Sequence, residues 1–80
     1  MFDFTAHVIT KRQNGRKTVL TAISVKMGGL TVATRTVPGK WDAGTILREI
    51  QLFPERFKIV EGVGQGGFTH AHLKALAIAA

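Results

Sequence analysis

Residues 2–27 read FDFTAHVITKRQNGRKTVLTAISVKM, and their register decides the fold. At the centre stands Asn14-Gly15, the dipeptide best suited to a two-residue type I′ turn, because both central residues need φ > 0. With the turn there, one face of the hairpin pairs Phe2–Met27, Phe4–Val25, Ala6–Ile23, Val8–Thr21 and Thr10–Val19. Nearly all of these are apolar or β-branched. The other face pairs Asp3–Lys26, Thr5–Ser24, His7–Ala22 and Ile9–Leu20, with opposite charges across from each other. A slip of one residue would scramble both faces, so turn and pattern specify the same register.

Gly28-Gly29 supplies a second two-residue turn. Continuing the same count predicts Met27–Leu30, Val25–Val32, Ile23–Thr34 and Thr21–Thr36 on the apolar face, with the third strand ending near Val37, before Pro38-Gly39. From Trp41 to Phe53 the period changes: Ala43, Ile46, Leu47, Ile50 and Phe53 follow helical spacing. Asp42 fits the N-cap, Trp41 and Ile46 fit a hydrophobic staple, and Pro54 ends the helix. Arg56 to Val63 alternates as a fourth strand. A glycine-rich loop, 62–67, then leads to a short helix from Phe68 to Ala80, with Thr69 as N-cap, a Phe68–Leu73 staple and a stripe of Leu73, Leu76, Ala77 and Ala80. The expected architecture is α+β, within one domain spanning 1–80. It comprises a three-stranded antiparallel meander, a helix on its core face, a fourth strand and a short C-terminal helix.

Eighty residues, 45% of them hydrophobic, support one thin core rather than a disordered chain. Cysteine is absent, which excludes disulfides, thiolate nucleophiles and cysteine zinc sites. The start, Met-Phe-Asp-Phe, lacks the basic-then-apolar order of a signal peptide. No apolar run approaches the ~20 residues that span a bilayer. These features predict a cytoplasmic protein without membrane contact. Eleven Lys and Arg against five acids give a net charge of +6, which favours acidic partners or, more blandly, serves solubility.

Motifs for catalysis are missing. Gly62-x-Gly64-x-x-Gly67 matches the dinucleotide fingerprint literally, but no second parallel strand or following acid completes a βαβ unit, so no cofactor is expected. His70 and His72 diverge on a helix and have no third ligand nearby, so no metal is expected. Among the acids, Asp3 faces Lys26, Asp42 caps a helix, and Glu49, Glu55 and Glu61 look solvated. Ser24, the only serine, faces Thr5 on a strand. No nucleophile–base set emerges, and the chain reads as non-enzymatic.

What remains is surface. Lys11, Arg12, Arg16 and Lys17 crowd the hairpin tip. On the face away from the core, the expected register aligns Ile9, Leu20 and Val37 as an apolar row, with Arg35 beside it and Lys26 further along. An apolar row near a ring of cations suits a protein interface, an anchor within a polar rim. The simpler alternative is that the C-terminal helix covers the row.

The whole-chain profile, a small cysteine-free domain without catalytic motifs, resembles the small phage-encoded inhibitors of the anti-CRISPR type. That resemblance covers length and organisation and involves no shared motif. It implies a protein that binds an effector complex and blocks its nucleic-acid binding, in the host cytoplasm. Many such inhibitors are acidic DNA mimics. At +6 this chain departs from them and would instead need an acidic protein surface, for example on a CRISPR effector subunit. The meander followed by a helix also resembles AP2 and integrase arm-binding domains, which lay a sheet in the major groove. That likeness implies direct DNA or RNA binding through Lys11, Arg12, Arg16, Lys17, Lys26 and Arg35. A small phage structural or assembly protein is the third reading. A monomer is the expected state.

Overall fold

The computed structural model describes residues 2–60 and 68–79. Strand β1 (Phe2–Gln13) and strand β2 (Arg16–Met27) form the hairpin, followed by β3 (Leu30–Pro38), helix α1 (Ala43–Leu52), a single 3-10 turn (Pro54–Arg56), β4 (Lys58–Ile59) and helix α2 (His70–Ala79). The strands make one antiparallel sheet in the order β1-β2-β3-β4. The fold is α+β, as the sequence pattern predicts.

The first hairpin has the expected register throughout, from Phe2 opposite Met27 to Gln13 opposite Arg16. Asn14 and Gly15 sit at φ 53° and 75°, as a type I′ turn requires. The second hairpin starts as expected, with Met27 opposite Leu30 and Lys26 opposite Thr31. A bulge then shifts it by one, so that Val25 faces Ala33, Ile23 faces Arg35, Thr21 faces Val37 and Leu20 faces Pro38. The expected pairs Val25–Val32, Ile23–Thr34 and Thr21–Thr36 therefore do not form. Beyond the bulge every β3 side chain lies on the face opposite to the one expected.

Ile23, Val25, Val32, Ala33 and Val37 from the sheet are buried with Ile46 and Ile50 of α1, Phe57, and Leu73 and Ala77 of α2. Both helices thus contribute to one core. The Gln51 side-chain amide donates to the Ala77 carbonyl at 2.9 Å, tying the helices together. Asp42 caps α1 by accepting the Thr45 N–H at 2.8 Å, and Trp41 before it is partly buried against the core. Pro54 follows Phe53, the C-cap of α1, and opens the 3-10 turn.

Of the expected fourth strand, Arg56 to Val63, residues 56–60 are described. The 3-10 turn takes up Arg56, and only Lys58 and Ile59 pair with β3; the Val60 N–H continues the ladder to the Val32 carbonyl at 2.9 Å. Glu61 to Val63, the glycine loop and Ala80 lie outside the described residues. Thr69 caps α2: its hydroxyl accepts the His72 N–H at 3.3 Å while its own N–H donates to His72 Nδ1, also at 3.3 Å. This is a capping box with histidine in the third position. Phe68 packs against the core as a staple residue would, and Leu73 and Ala77 form the buried stripe.

Candidate binding surface on the hairpin arm

A twelve-residue strand is about 40 Å long, whereas a ten-residue helix covers about 15 Å. The helices therefore cannot cover the whole hairpin. The cover ends at Thr21, which is fully buried: its hydroxyl donates to the Gly39 carbonyl at 2.7 Å and accepts the Trp41 N–H at 3.2 Å. Every residue from Ala6 to Val19 is exposed. The outer half of the hairpin projects as a bare two-stranded arm, consistent with a molecule 46 Å long and 25 by 21 Å across.

The arm carries cations on both faces. Lys11 and Arg16 share the open face with Gln13 and Thr18, while Arg12 and Lys17 stand opposite each other on the helix-side face. All four are exposed. Among the described residues the one salt bridge is Arg35–Glu49, so no described carboxylate neutralises the tip. Arg12 and Lys17 lie directly cross-strand, about 5 Å apart, and Lys11 and Arg16 lie diagonally, about 7–8 Å apart, each pair within the Debye length of about 8 Å in physiological salt, so the tip is positive on both faces. An open depression between Gln13, Asn14, Arg16 and Thr18 lies on the open face of this patch.

Behind the tip the arm is apolar on both faces. Ile9 stands opposite Leu20 on the open face, 38% exposed, and no residue of that face is buried among those described. The C-terminal helix does not cover the Ile9–Leu20 pair; its buried residues lie in the core with α1. On the helix-side face, Val8 and Val19 are 50% and 37% exposed. Alternation alone places these two valines on the apolar face with the core residues. The length mismatch between hairpin and helix is the sequence signal that marks them as exposed.

Three of the expected site residues lie elsewhere. Val37 is a core residue, 2% exposed and opposite Thr21, because the bulge turns it inward; Pro38 takes its place beside Leu20. Arg35 is turned to the helix side by the same shift. Its guanidinium bonds Glu49 Oε1 at 3.3 Å and lies 5.1 Å and 5.3 Å from the rings of Trp41 and Phe57. Lys26 faces Asp3 at the far end of the hairpin, nine residues from Lys17 and thus about 30 Å away. Lys11, Arg12, Arg16, Lys17, Ile9 and Leu20 are the residues the fold brings together.

The histidines of α2 serve local structure. His70, half-buried, donates its Nε2–H to the Phe57 carbonyl at 2.7 Å, and His72 completes the cap at Thr69. Among the described residues no three His, Cys, Asp or Glu side chains gather as a metal site would require, and no helix is long and apolar enough to cross a membrane. Comparisons with protein-family models, with curated proteins and with solved structures give no match.

Proposed function

We propose that the protein is a non-enzymatic binding protein whose arm occupies an acidic protein surface, as an anti-CRISPR-type inhibitor would, and so blocks an effector complex from binding nucleic acid. The observation that carries this reading is the exposure of Val8, Ile9 and Val19 directly behind four cations without described acidic partners. A phosphate-binding arm needs the cations but gains little from exposed aliphatic side chains. A protein interface uses both, because apolar area removed from water contributes about 25 cal/mol per Å² and charged rims steer the encounter.

Direct nucleic-acid binding is the second reading, favoured by one specific feature. Cations on both faces of a two-stranded ribbon suit a groove walled by phosphates on each side, and the major groove, about 12 Å wide, admits such a ribbon.

One experiment separates the two. Purified CRISPR effector complexes are mixed with the protein and target-DNA binding is measured, alongside the protein's own affinity for a random duplex across salt concentrations. Inhibition predicts loss of effector–DNA binding, recovery with the quadruple variant Lys11→Glu, Arg12→Glu, Arg16→Glu and Lys17→Glu, and negligible duplex affinity. Tight duplex binding that falls steeply with salt, with effector complexes unaffected, overturns it in favour of the second reading.

A further inference from the structure

β1 is the edge of the sheet, and its register with β2 runs unbroken for twelve residues without a bulge. Among the described residues no strand pairs with its outer side, where the Phe4 N–H is met locally by the Asp3 carboxylate at 2.7 Å. In a two-residue hairpin the residues flanking the turn, Gln13 and Arg16, exchange hydrogen bonds, and bonded pairs then alternate along the strand. The odd-numbered residues of β1 thus bond to β2, while Phe2, Phe4, Ala6, Val8, Thr10 and Arg12 direct their N–H and C=O groups outward. Long edges of this kind are normally blunted by a charge, a proline or a bulge. From Ala6 to Thr10 this edge has none of them.

The sequence of the edge also complements itself. When a second β1 is laid antiparallel with His7 opposite His7 of the copy, Asp3 falls opposite Lys11 and, by symmetry, Lys11 opposite Asp3. Both charged positions of the open face are then matched by opposite charge. On the helix-side face the same register sets Ala6 against Val8 and Phe4 against Thr10, giving the half-exposed Val8 cross-strand apolar neighbours. Shifting the copy by two residues either way removes both Asp3–Lys11 pairs. Parity is kept, so the open faces of the two copies coincide in one continuous sheet.

We propose that β1 is a homodimerisation edge, pairing antiparallel with β1 of a second copy about a two-fold axis at His7 to form an eight-stranded sheet. The two turns then point in opposite directions, and Arg16 and Lys17, on β2, stay clear of the junction. In the dimer Lys11 is matched by Asp3 of the copy, so each tip offers Arg12, Arg16 and Lys17 to a partner, and the crosslink below reads the pairing separately from what the tips bind.

The register makes the test specific. His7 of the two copies would form a non-hydrogen-bonded pair with Cα atoms about 4.5 Å apart, within the range a disulfide spans. Because the chain has no cysteine, His7→Cys gives a single reporter at an exposed site. Thr5→Cys is the control: it faces Ile9 of the copy, and its own counterpart is about 13 Å away, beyond disulfide reach. Under mild oxidation, His7→Cys should run as a covalent dimer, with Thr5→Cys lower by roughly tenfold or more. Adding Ala6→Pro removes an outward N–H without removing a bond to β2, and should abolish the crosslink while circular dichroism still reports the folded sheet. Failure of His7→Cys to crosslink, equal crosslinking by Thr5→Cys, or indifference to Ala6→Pro in a folded protein overturns the proposal.

Discussion

Arg12 stands directly across the β1–β2 ladder from Lys17, like charge against like charge, with no described carboxylate to relieve the pair. Cross-strand repulsion of this kind costs several tenths of a kcal/mol, and the fold tolerates it where the arm is otherwise bare. Lys17→Thr should therefore raise stability by about 0.2–1 kcal/mol, read as a higher urea midpoint. The same change should weaken binding to an acidic partner. A substitution that stabilises the fold and weakens binding would mark the tip as selected for its partner.

Arg35 should behave in the opposite way. Its guanidinium is held by Glu49 and flanked by Trp41 and Phe57, so its charge is engaged within the fold. Lysine keeps the charge but loses the planar contact with the rings. Arg35→Lys should cost about 1–2 kcal/mol by denaturant unfolding and leave affinity for an acidic partner unchanged. A double-mutant cycle with Glu49→Gln should give a coupling below about 1 kcal/mol, because both side chains remain partly exposed to screening solvent.

Thr21 marks where the covered sheet gives way to the free arm. Its hydroxyl satisfies the Gly39 carbonyl and the Trp41 N–H at once, fastening the segment after β3 over the sheet. Thr21→Val preserves shape and removes both bonds, leaving two backbone groups without their partner. A loss of about 1–3 kcal/mol is expected. Hydrogen exchange should show it concentrated at Trp41 and the start of α1, with the Asn14-Gly15 turn unaffected.

The hairpin register was legible because Asn14-Gly15 and a period-two pattern specify it within a short stretch of chain. α1 was legible for a similar reason, since Asp42, the spacing of Ile46 and Ile50, and Pro54 are all local signals. The misplacement of Val37 and Arg35 traces to one non-local event, the bulge at Val25–Lys26. Gly28-Gly29 determines only the pairs next to it. β3 itself carries the warning: its buried residues change phase from Val32 to Ala33 and Val37, which a regular strand cannot present to one core. That half-period moved Val37 and Arg35 off the expected surface together. The brevity of β4 had no comparable signal, because Phe57, Lys58 and Ile59 alternate as they would at the start of a longer strand.

Asp42 gives the fold a defined acid sensitivity. Its carboxylate accepts the Thr45 backbone N–H at 2.8 Å, and this contact with Thr45 outweighs a small opposing effect of burial and lowers its pKa from the ordinary 3.8. A carboxyl whose pKa is lower in the folded state binds its proton more readily when unfolded. Its contribution is complete above pH 3.8 and is lost as the pH falls through the depressed folded value. Asp42→Asn still accepts at the cap but cannot titrate, and asparagine is about as good an N-cap as aspartate. Urea midpoints for the two proteins should therefore agree closely at neutral pH and separate below about pH 4, with the wild type falling faster. Parallel decline of both proteins throughout the acid range would show that the Asp42–Thr45 bond does not carry the effect.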